Sequence, residues 1–182
     1  MSFASQISNR NFLSPGGFRF SLAKYPKVAY FAQSANIPGI SLNLVEQETP
    51  YRSIYREGVL SYQNLTLRFL IDEDLENYLI LHNWMRGLGV PDNFSERQTF
   101  EEKDTQPGLG DFPYADGTLT VLNSNFQPKF NILFKDLNPT SLTTLEFDAS
   151  LTDVDYFTAT VEFDYVSFQI QDLTGTRIDK LK

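Results

Sequence analysis

The feature that constrains this fold most is an alternation of apolar and polar residues between Tyr62 and Ile71. Every second position from 65 onward carries an apolar side chain, and these residues are Leu65, Leu67, Phe69 and Ile71. A period of two places successive side chains on opposite faces of an extended strand. The segment is therefore predicted to be a β-strand with one face on a hydrophobic core.

Shorter stretches of similar character predict further antiparallel strands along the chain. They are residues 18–22, 28–31, 40–44, 118–122, 129–134, 144–147 and 156–170. The first two are expected to form a hairpin across Tyr25-Pro26-Lys27. In the segment 156–170, the apolar side chains change parity after Tyr165. This implies a bulge, a crossing into a second sheet or the point where the strand leaves the domain.

One amphipathic helix is predicted at about residues 74–86. Its apolar residues recur at helical spacing and define the face expected to pack on the sheet, namely Leu75, Tyr78, Leu79, His82 and Met85. Asp72 or Asp74 provides a capping carboxylate, and Gly87 and Gly89 end the helix before Pro91. The predicted fold is mainly β, a barrel or sandwich of antiparallel strands with one flanking helix.

A chain of 182 residues fits a single domain. We place one β domain at residues 18–170, with an N-terminal arm at 1–17 and a C-terminal tail at 171–182. Residues 91–117 are rich in Pro, Gly and charge, and are predicted to form a long insert loop. Residues 46–58 mix charged and aromatic side chains without a clean period, which predicts a long protruding loop.

Composition excludes several classes of function. The chain has 23 Asp and Glu against 15 Lys and Arg, and this acidic balance disfavours tight binding of nucleic acid. It has no Cys, which excludes disulfides, thiolate metal sites and a cysteine nucleophile. With no run of about 18 apolar residues and a polar start, neither a membrane span nor a signal peptide is expected, and the protein is predicted to be made in a cytoplasm.

No catalytic, cofactor-binding or metal-binding residues are predicted. His82 is the only histidine, and its place on the apolar stripe of the helix favours a core position near Trp84 over a catalytic role. Gly108-Leu109-Gly110 lacks the lysine and the strand-to-helix context of a phosphate loop. The acidic residues at 72–74 suit helix capping better than calcium binding. The sequence therefore predicts that the protein is not an enzyme.

Two stretches carry a resemblance to a known family. In the first, from Ala35 to Met85, the relevant segments are Ile37-Pro38-Gly39, Glu46, Pro50, Arg56-Glu57-Gly58, Tyr62, Leu65-Thr66-Leu67-Arg68-Phe69, Asp72-Glu73 and Trp84. In the second, from Phe134 to Tyr165, they are Leu137-Asn138-Pro139-Thr140, Leu145-Glu146-Phe147-Asp148, Val154, Phe157 and the closing strand from Ala159. In order and spacing, these segments resemble the tail tube proteins of T4-like contractile phages, a family related in fold to the secreted ring protein of type VI secretion.

The resemblance implies a structural subunit whose copies form stacked hexameric rings, the inner tube of a contractile tail. The protruding loop would then contact neighbouring subunits through Glu46, Glu48, Tyr51, Arg52, Tyr55, Arg56 and Glu57. The implied partners are further copies, the sheath, baseplate or terminator proteins, and DNA that passes without tight binding. The implied location is a virion tail assembled in the host cytoplasm, and we expect carboxylates to outnumber Lys and Arg along the bore.

Three other interpretations remain open at the level of the sequence. A baseplate tube-initiator or tail-end cap of the same fold would form rings that stop at one layer. A secreted tube ring of a bacterial injection machine would have a different genomic setting. A soluble β-barrel with aromatic residues lining a ligand pocket would remain monomeric, whereas a ring protein should form large species.

Overall fold

The computed structural model describes residues 13–89, 93, 95, 98, 114–147 and 156–179. Its strands are β1 (Phe18–Leu22), β2 (Ala32–Ala35), β3 (Ile40–Gln47), β4 (Ile54–Tyr62), β5 (Leu65–Leu70), β6 (Ala115–Leu122), β7 (Pro128–Leu142), β8 (Thr158–Asp164) and β9 (Ser167–Asp172). Its helices are α1 (Pro26–Tyr30) and α2 (Glu76–Leu88). The prediction of a mainly β fold with a flanking helix is confirmed. Residues 1–12 of the predicted arm, most of the predicted insert and residues 180–182 lie outside the described residues.

Seven strands form one bent antiparallel sheet in the order β1-β6-β7-β8-β5-β2, with β9 paired to β7. The long strand β7 joins the two halves of this sheet. Its first part pairs with β9 up to Lys135 and with β6 up to Leu137, and its last part, from Asn138, pairs with β8. Asp136 lies close to the junction of these parts with a φ of 56°. Both halves contribute to one core, and the sheet does not close into a barrel.

The core is one cluster of apolar side chains from both halves of the sheet and from both helices. Its largest fully buried members are Leu22, Val28, Leu65, Leu67, Phe69, Leu81, Trp84, Ile132, Phe134, Leu137, Val161 and Phe163. The alternation that predicted β5 is confirmed, because Leu65, Leu67 and Phe69 all point into this cluster. Trp84 contacts the rings of Tyr25 and Phe163, with centroids 5.0 and 6.1 Å apart. The aromatic residues of the core therefore pack against one another.

The predicted hairpin between residues 18–22 and 28–31 is wrong. β1 pairs with β6, from Phe18 opposite Val121 to Leu22 opposite Gly117. Residues 26–30 form α1 instead, because proline at the first helical position is preorganised for a helix. Burial of Val28 in the core then stabilises a helix too short to persist alone.

Two further strand predictions are corrected by the pairing. Residues 144–147 belong to no strand. The parity change after Tyr165 is a crossing between the two halves of the sheet, which was one of the three alternatives. β8 pairs with β5 and with the last part of β7, whereas β9 pairs with the first part of β7. The side chains change parity because the chain turns from one half to the other at residues 165–166.

The face that α2 turns to the core differs from the predicted face. The buried residues of the helix are Asn77, Leu81, Trp84 and Gly87. Of the predicted face, Leu75 precedes the helix with a φ of 57°, Tyr78 and Met85 are half-buried, and Leu79 and His82 are exposed. The interpretation of His82 as a core histidine is therefore wrong.

A buried polar residue sets the orientation of α2. Asn77 is almost inaccessible to solvent, and its side-chain amide donates to the carbonyl of Leu70 at 2.7 Å. The Asn77 backbone N–H donates to the carboxylate of Asp72 at 3.4 Å. Because these bonds satisfy the asparagine, it can occupy an inward position that a hydrophobicity pattern assigns to apolar residues.

We expect Asn77→Ala to lower the free energy of unfolding by about 1–3 kcal/mol, because it removes the side-chain amide that donates to the partly buried Leu70 carbonyl. Urea denaturation followed by circular dichroism measures this loss. Asn83→Ala, at an exposed position of the same helix, is the matched control and should change stability by less than about 0.5 kcal/mol. Equal effects of the two substitutions would contradict the anchoring role of Asn77.

Candidate assembly surface

Strands β3 and β4 form a separate two-stranded sheet that projects from the core. Every residue of β3 is exposed, and only Gly58 and Ser61 of β4 are partly covered. The predicted long loop at residues 46–58 is therefore wrong in its extent. Residues 48–53 connect the two strands, and the flanking residues belong to the hairpin.

A β-bulge explains why the sequence of β4 showed no clean period. Leu42 lies opposite Leu60, but Leu44 lies opposite Glu57, so β4 has one residue more than β3 across this interval. Such a bulge shifts the side-chain parity of its strand. Gly58 lies within it, and a Cβ at this position would be 2.7 Å from the carbonyl oxygen of Asn43. The close approach of the two backbones requires glycine here.

The hairpin has one apolar face and one mostly polar face. Residues directly opposite each other in an antiparallel pair share a face, so the register defines a hairpin apolar face of Ile40, Leu42, Leu44, Tyr55, Leu60 and Tyr62. Leu42 and Leu44 are 49% and 63% exposed. The opposite face carries Ser41, Asn43, Gln47, Arg56 and Ser61, with Val45 and Ile54 near the tip. The register also places Glu46 and Glu57 on the apolar side, opposite Tyr55 and Leu44. An exposed and largely apolar surface of this kind is typical of a protein interface.

The contact residues predicted from the sequence all lie on this hairpin, but in three different places. Glu46, Tyr55 and Glu57 lie on the same side as the hairpin apolar face, and Arg56 lies on the other side. Glu48, Tyr51 and Arg52 lie in the connecting turn, where the hydroxyl of Thr49 hydrogen-bonds to the Arg52 backbone. The prediction did not include the exposed aliphatic residues of the apolar face. Their alternation was interpreted only as a further strand, and the pairing of β3 with β4 alone shows that these residues are uncovered.

Aromatic contacts fix the base of the hairpin to the bend between β8 and β9. The ring of Tyr62 meets that of Phe168 edge-on, with centroids 5.5 Å apart. The hydroxyl of Tyr165 donates to the carbonyl of Gln63 at 2.9 Å. Burial is the main cause that raises the pKa of Tyr165 to about 12, and the nearby Tyr62 and Asp164 act in the same direction. The hairpin thus projects in a direction set by the main sheet.

The raised pKa of Tyr165 predicts a loss of stability in strong alkali. The unfolded chain releases this proton near the ordinary value of 10.0, whereas the folded chain holds it to about 12. The stabilisation is therefore complete below pH 10 and falls as the pH rises to 12. Tyr165→Phe, which has no proton to release, should show a shallower decline of unfolding free energy over this interval, measured by urea denaturation. Identical slopes for the two proteins would contradict the assignment.

An apolar groove opens beside the N-terminus of α2. This α2 groove has a volume of about 530 Å³ and is lined by Ile71, Asp72, Glu73, Leu75, Phe147, Tyr156 and Phe157. The ring centroids of Phe147 and Phe157 are 4.8 Å apart, yet Phe147 is 75% exposed. A second hollow of about 380 Å³ shares Asp72 and extends towards Phe31 and Lys27. Lys27 forms an ion pair with Glu76.

The outward faces of the main sheet are polar and nearly balanced in charge. Their neutral residues include Ser21, Thr118, Thr120, Asn131, Gln169 and Gln171 on one half and Thr66, Thr158 and Thr160 on the other. Their charged residues are Arg19, Arg68, Lys129 and Lys135 against Asp116, Asp136, Glu162 and Asp164. The expected excess of carboxylates along a bore concerns an assembly of several chains and stays a prediction.

Neither helix in the described part of the chain has the length and apolar character needed to cross a membrane. Within residues 13–89, 114–147 and 156–179, no three His, Cys, Asp or Glu side chains come together in a way that would hold a metal ion. The described geometry instead consists of a projecting apolar hairpin, an apolar groove and polar sheet faces.

Solved structures share this fold, although no protein-family model and no curated protein matches the sequence. A chain of the anti-feeding prophage tube-terminating cap is 16% identical, with a TM-score of 0.63 over 93% of this chain and 97% of that one. A chain of the anti-feeding prophage baseplate is 14% identical, with a TM-score of 0.57 over 95% of this chain and 99% of that one. A chain of the sheath-tube complex of an extracellular contractile injection system is 17% identical, with a TM-score of 0.56 over 95% of this chain and 100% of that one. The fold is thus one found in contractile injection particles, which confirms the tail-tube resemblance at the level of fold.

Proposed function

We propose that this protein is a structural subunit of the tube, or of a tube-like end or baseplate ring, of a contractile particle. The observation that carries the proposal is the projecting hairpin with its exposed apolar face, on a fold shared with cap, baseplate and sheath-tube components. Exposed aliphatic and aromatic side chains are costly in water unless another surface covers them. Self-association of copies provides that cover, and the protein acts through assembly and not through catalysis.

The sheet also has edges that neighbouring copies would seal. β1 and β2 lie at the two ends of the strand order, and each pairs with one neighbour among the described strands. Unpaired edges favour pairing with other chains. We propose that copies related by a closed rotation cover these edges, and that the ring is the hexamer that the tail-tube resemblance implies.

The proposed partners follow from such a ring. Further rings would stack on it, a sheath would surround it, and baseplate or terminator proteins would close its ends. In a phage particle the bore would conduct DNA, and the particle would assemble in the host cytoplasm without stable membrane association. An acidic lining of the bore stays a prediction, and an outward strand face placed there would supply balanced charges with dispersed hydroxyl and amide groups. Dispersed hydroxyl and amide groups hold phosphate far less than clustered cations do.

A second candidate is a ring that ends or starts the tube. The likeness to the tube-terminating cap, with a TM-score of 0.63, supports it. Negative-stain microscopy of the purified protein tests both candidates, with light scattering over a range of concentrations. Stacked rings would support a tube subunit, and single rings a cap or initiator. A protein that stays monomeric at high concentration would refute both.

A further inference from the structure

We propose that the turn of the hairpin, residues 48–53, docks into the α2 groove of a second copy of this chain. The inference rests on the proposed function, because only a self-assembling protein supplies the second copy. It goes further in naming both partner surfaces and the side chains that meet. It makes the contact heterologous, so that each copy inserts its turn into the next.

The two surfaces lie at opposite ends of β5, which is the geometry that such a contact requires. The hairpin leaves the core at residues 36–39 and 62–64, beside the first residue of β5, where Asn36 bonds to Thr66. The α2 groove begins at Ile71, just beyond the last residue of β5. In this structure the turn does not occupy the groove of its own chain, because Tyr51 is 98% exposed, whereas the turn of a neighbouring copy is free to enter it. Heterologous contacts of this kind build rings when the rotation closes and filaments when it does not.

The apolar parts of the two surfaces are complementary. Tyr51, at the tip of the hairpin, is 98% exposed. The α2 groove offers aliphatic and aromatic walls from Ile71, Leu75 and Phe157 in a volume suited to one or two large side chains. Tyrosine is among the residues that most often anchor interfaces, because its ring buries a large area while its hydroxyl stays paired or wet.

The charges of the two surfaces are complementary as well. Arg52 in the turn and Arg56 on β4 make no ion pair among the residues that the structure describes. Along the groove, Glu76 is engaged by Lys27, and Asp72 accepts a hydrogen bond from Asn77. Glu73 lines the groove and is exposed, and Asp74 follows it. These two carboxylates are thus available to the arginines of an incoming turn.

Cysteine cross-linking tests the contact directly, since the chain contains no cysteine of its own. Protein carrying Ser53→Cys is mixed with protein carrying Asp74→Cys under assembly conditions and oxidised, so that Tyr51, Arg52 and Glu73 stay in place. We expect a covalent dimer from this mixture. The matched control replaces the second protein with Asn83→Cys, an exposed position farther along α2, which should give none. Assemblies visible by microscopy but without the 53–74 link would overturn this inference and leave the proposed function standing, whereas absence of assembly by the unsubstituted protein would overturn both.

Charge exchange provides a second, independent readout. Arg52→Glu alone and Glu73→Arg alone should each raise the protein concentration needed for assembly by about tenfold or more, because like charges then face each other. The double variant restores the pairing with its signs exchanged and should assemble within about threefold of the original concentration. A double variant as defective as the singles combined would overturn the contact, even if the cross-linked dimer were found.

Discussion

Trp84→Ala is expected to lower the free energy of unfolding by about 3–5 kcal/mol, the largest loss of stability for any single substitution considered for this protein. The indole is fully buried and contacts both Tyr25, at the start of α1, and Phe163 on β8. Removing the indole leaves a cavity where α1, α2 and the main sheet meet. Because domains are stable by only about 5–15 kcal/mol, the variant should be close to unfolding.

Chemical denaturation followed by far-ultraviolet circular dichroism measures this effect. Tryptophan fluorescence is unsuitable, because Trp84 is the only tryptophan in the chain. Leu79→Ala is the matched control, since Leu79 lies on the same helix but is exposed. It should change stability by less than about 1 kcal/mol. If Leu79→Ala proved as destabilising as Trp84→Ala, the helix would pack by the face predicted from its sequence and not by the face in the structure.

The fold was predictable from the sequence for β5 but not for the buried face of α2. The period of β5 was readable because its inward positions are all apolar and fully covered. In α2 a hydrogen-bonded asparagine, Asn77, occupies an inward position, while Leu79 and His82 face outward. A search for apolar residues at helical spacing therefore selects the wrong face of α2. The satisfied amide of Asn77 depends on Leu70 and Asp72, and their geometry is not visible in the sequence of the helix.

Strand partners were less predictable than the strands themselves. β1 was assigned to a neighbour a few residues away, but it pairs with β6, with Phe18 opposite Val121. A local alternation shows that a strand has a covered face and does not show which strand lies beside it. The crossing after Tyr165 was recognisable as an irregularity, but only the pairing with β7 distinguishes a crossing from a bulge.

The candidate assembly surface was also predictable only in part. Charged and aromatic residues such as Tyr51 and Arg52 marked the hairpin as a contact segment, because their mixture does not fit a buried strand. The aliphatic residues of β3 were assigned to a strand like any other. Their exposure follows from a tertiary fact, namely that β3 pairs with β4 alone. The bulge at Gly58 further disguised the pattern of β4.

Replacing Leu42 and Leu44 together with lysine is expected to abolish assembly while leaving the domain folded. Both side chains lie on the hairpin apolar face and are about half exposed or more in the single chain. Burial of a leucine in an interface contributes about 1.5–3 kcal/mol. Loss of two such contributions should raise the concentration needed for assembly at least about a hundredfold. Unfolding free energy should change by less than about 1 kcal/mol, because the hairpin lies outside the core.

The opposite face of the same strand provides the control for this prediction. Asn43→Lys with Val45→Lys adds the same two charges to β3 but points them away from the apolar face. Sedimentation velocity should show large species for this control and small ones for the Leu42 and Leu44 variant, with urea denaturation confirming that both are folded. Equal loss of assembly in the two variants would mean that added charge, and not burial of the apolar face, controls association. Full assembly of the leucine variant would mean that the hairpin apolar face stays in solvent, and the cost of exposing it would then need another explanation.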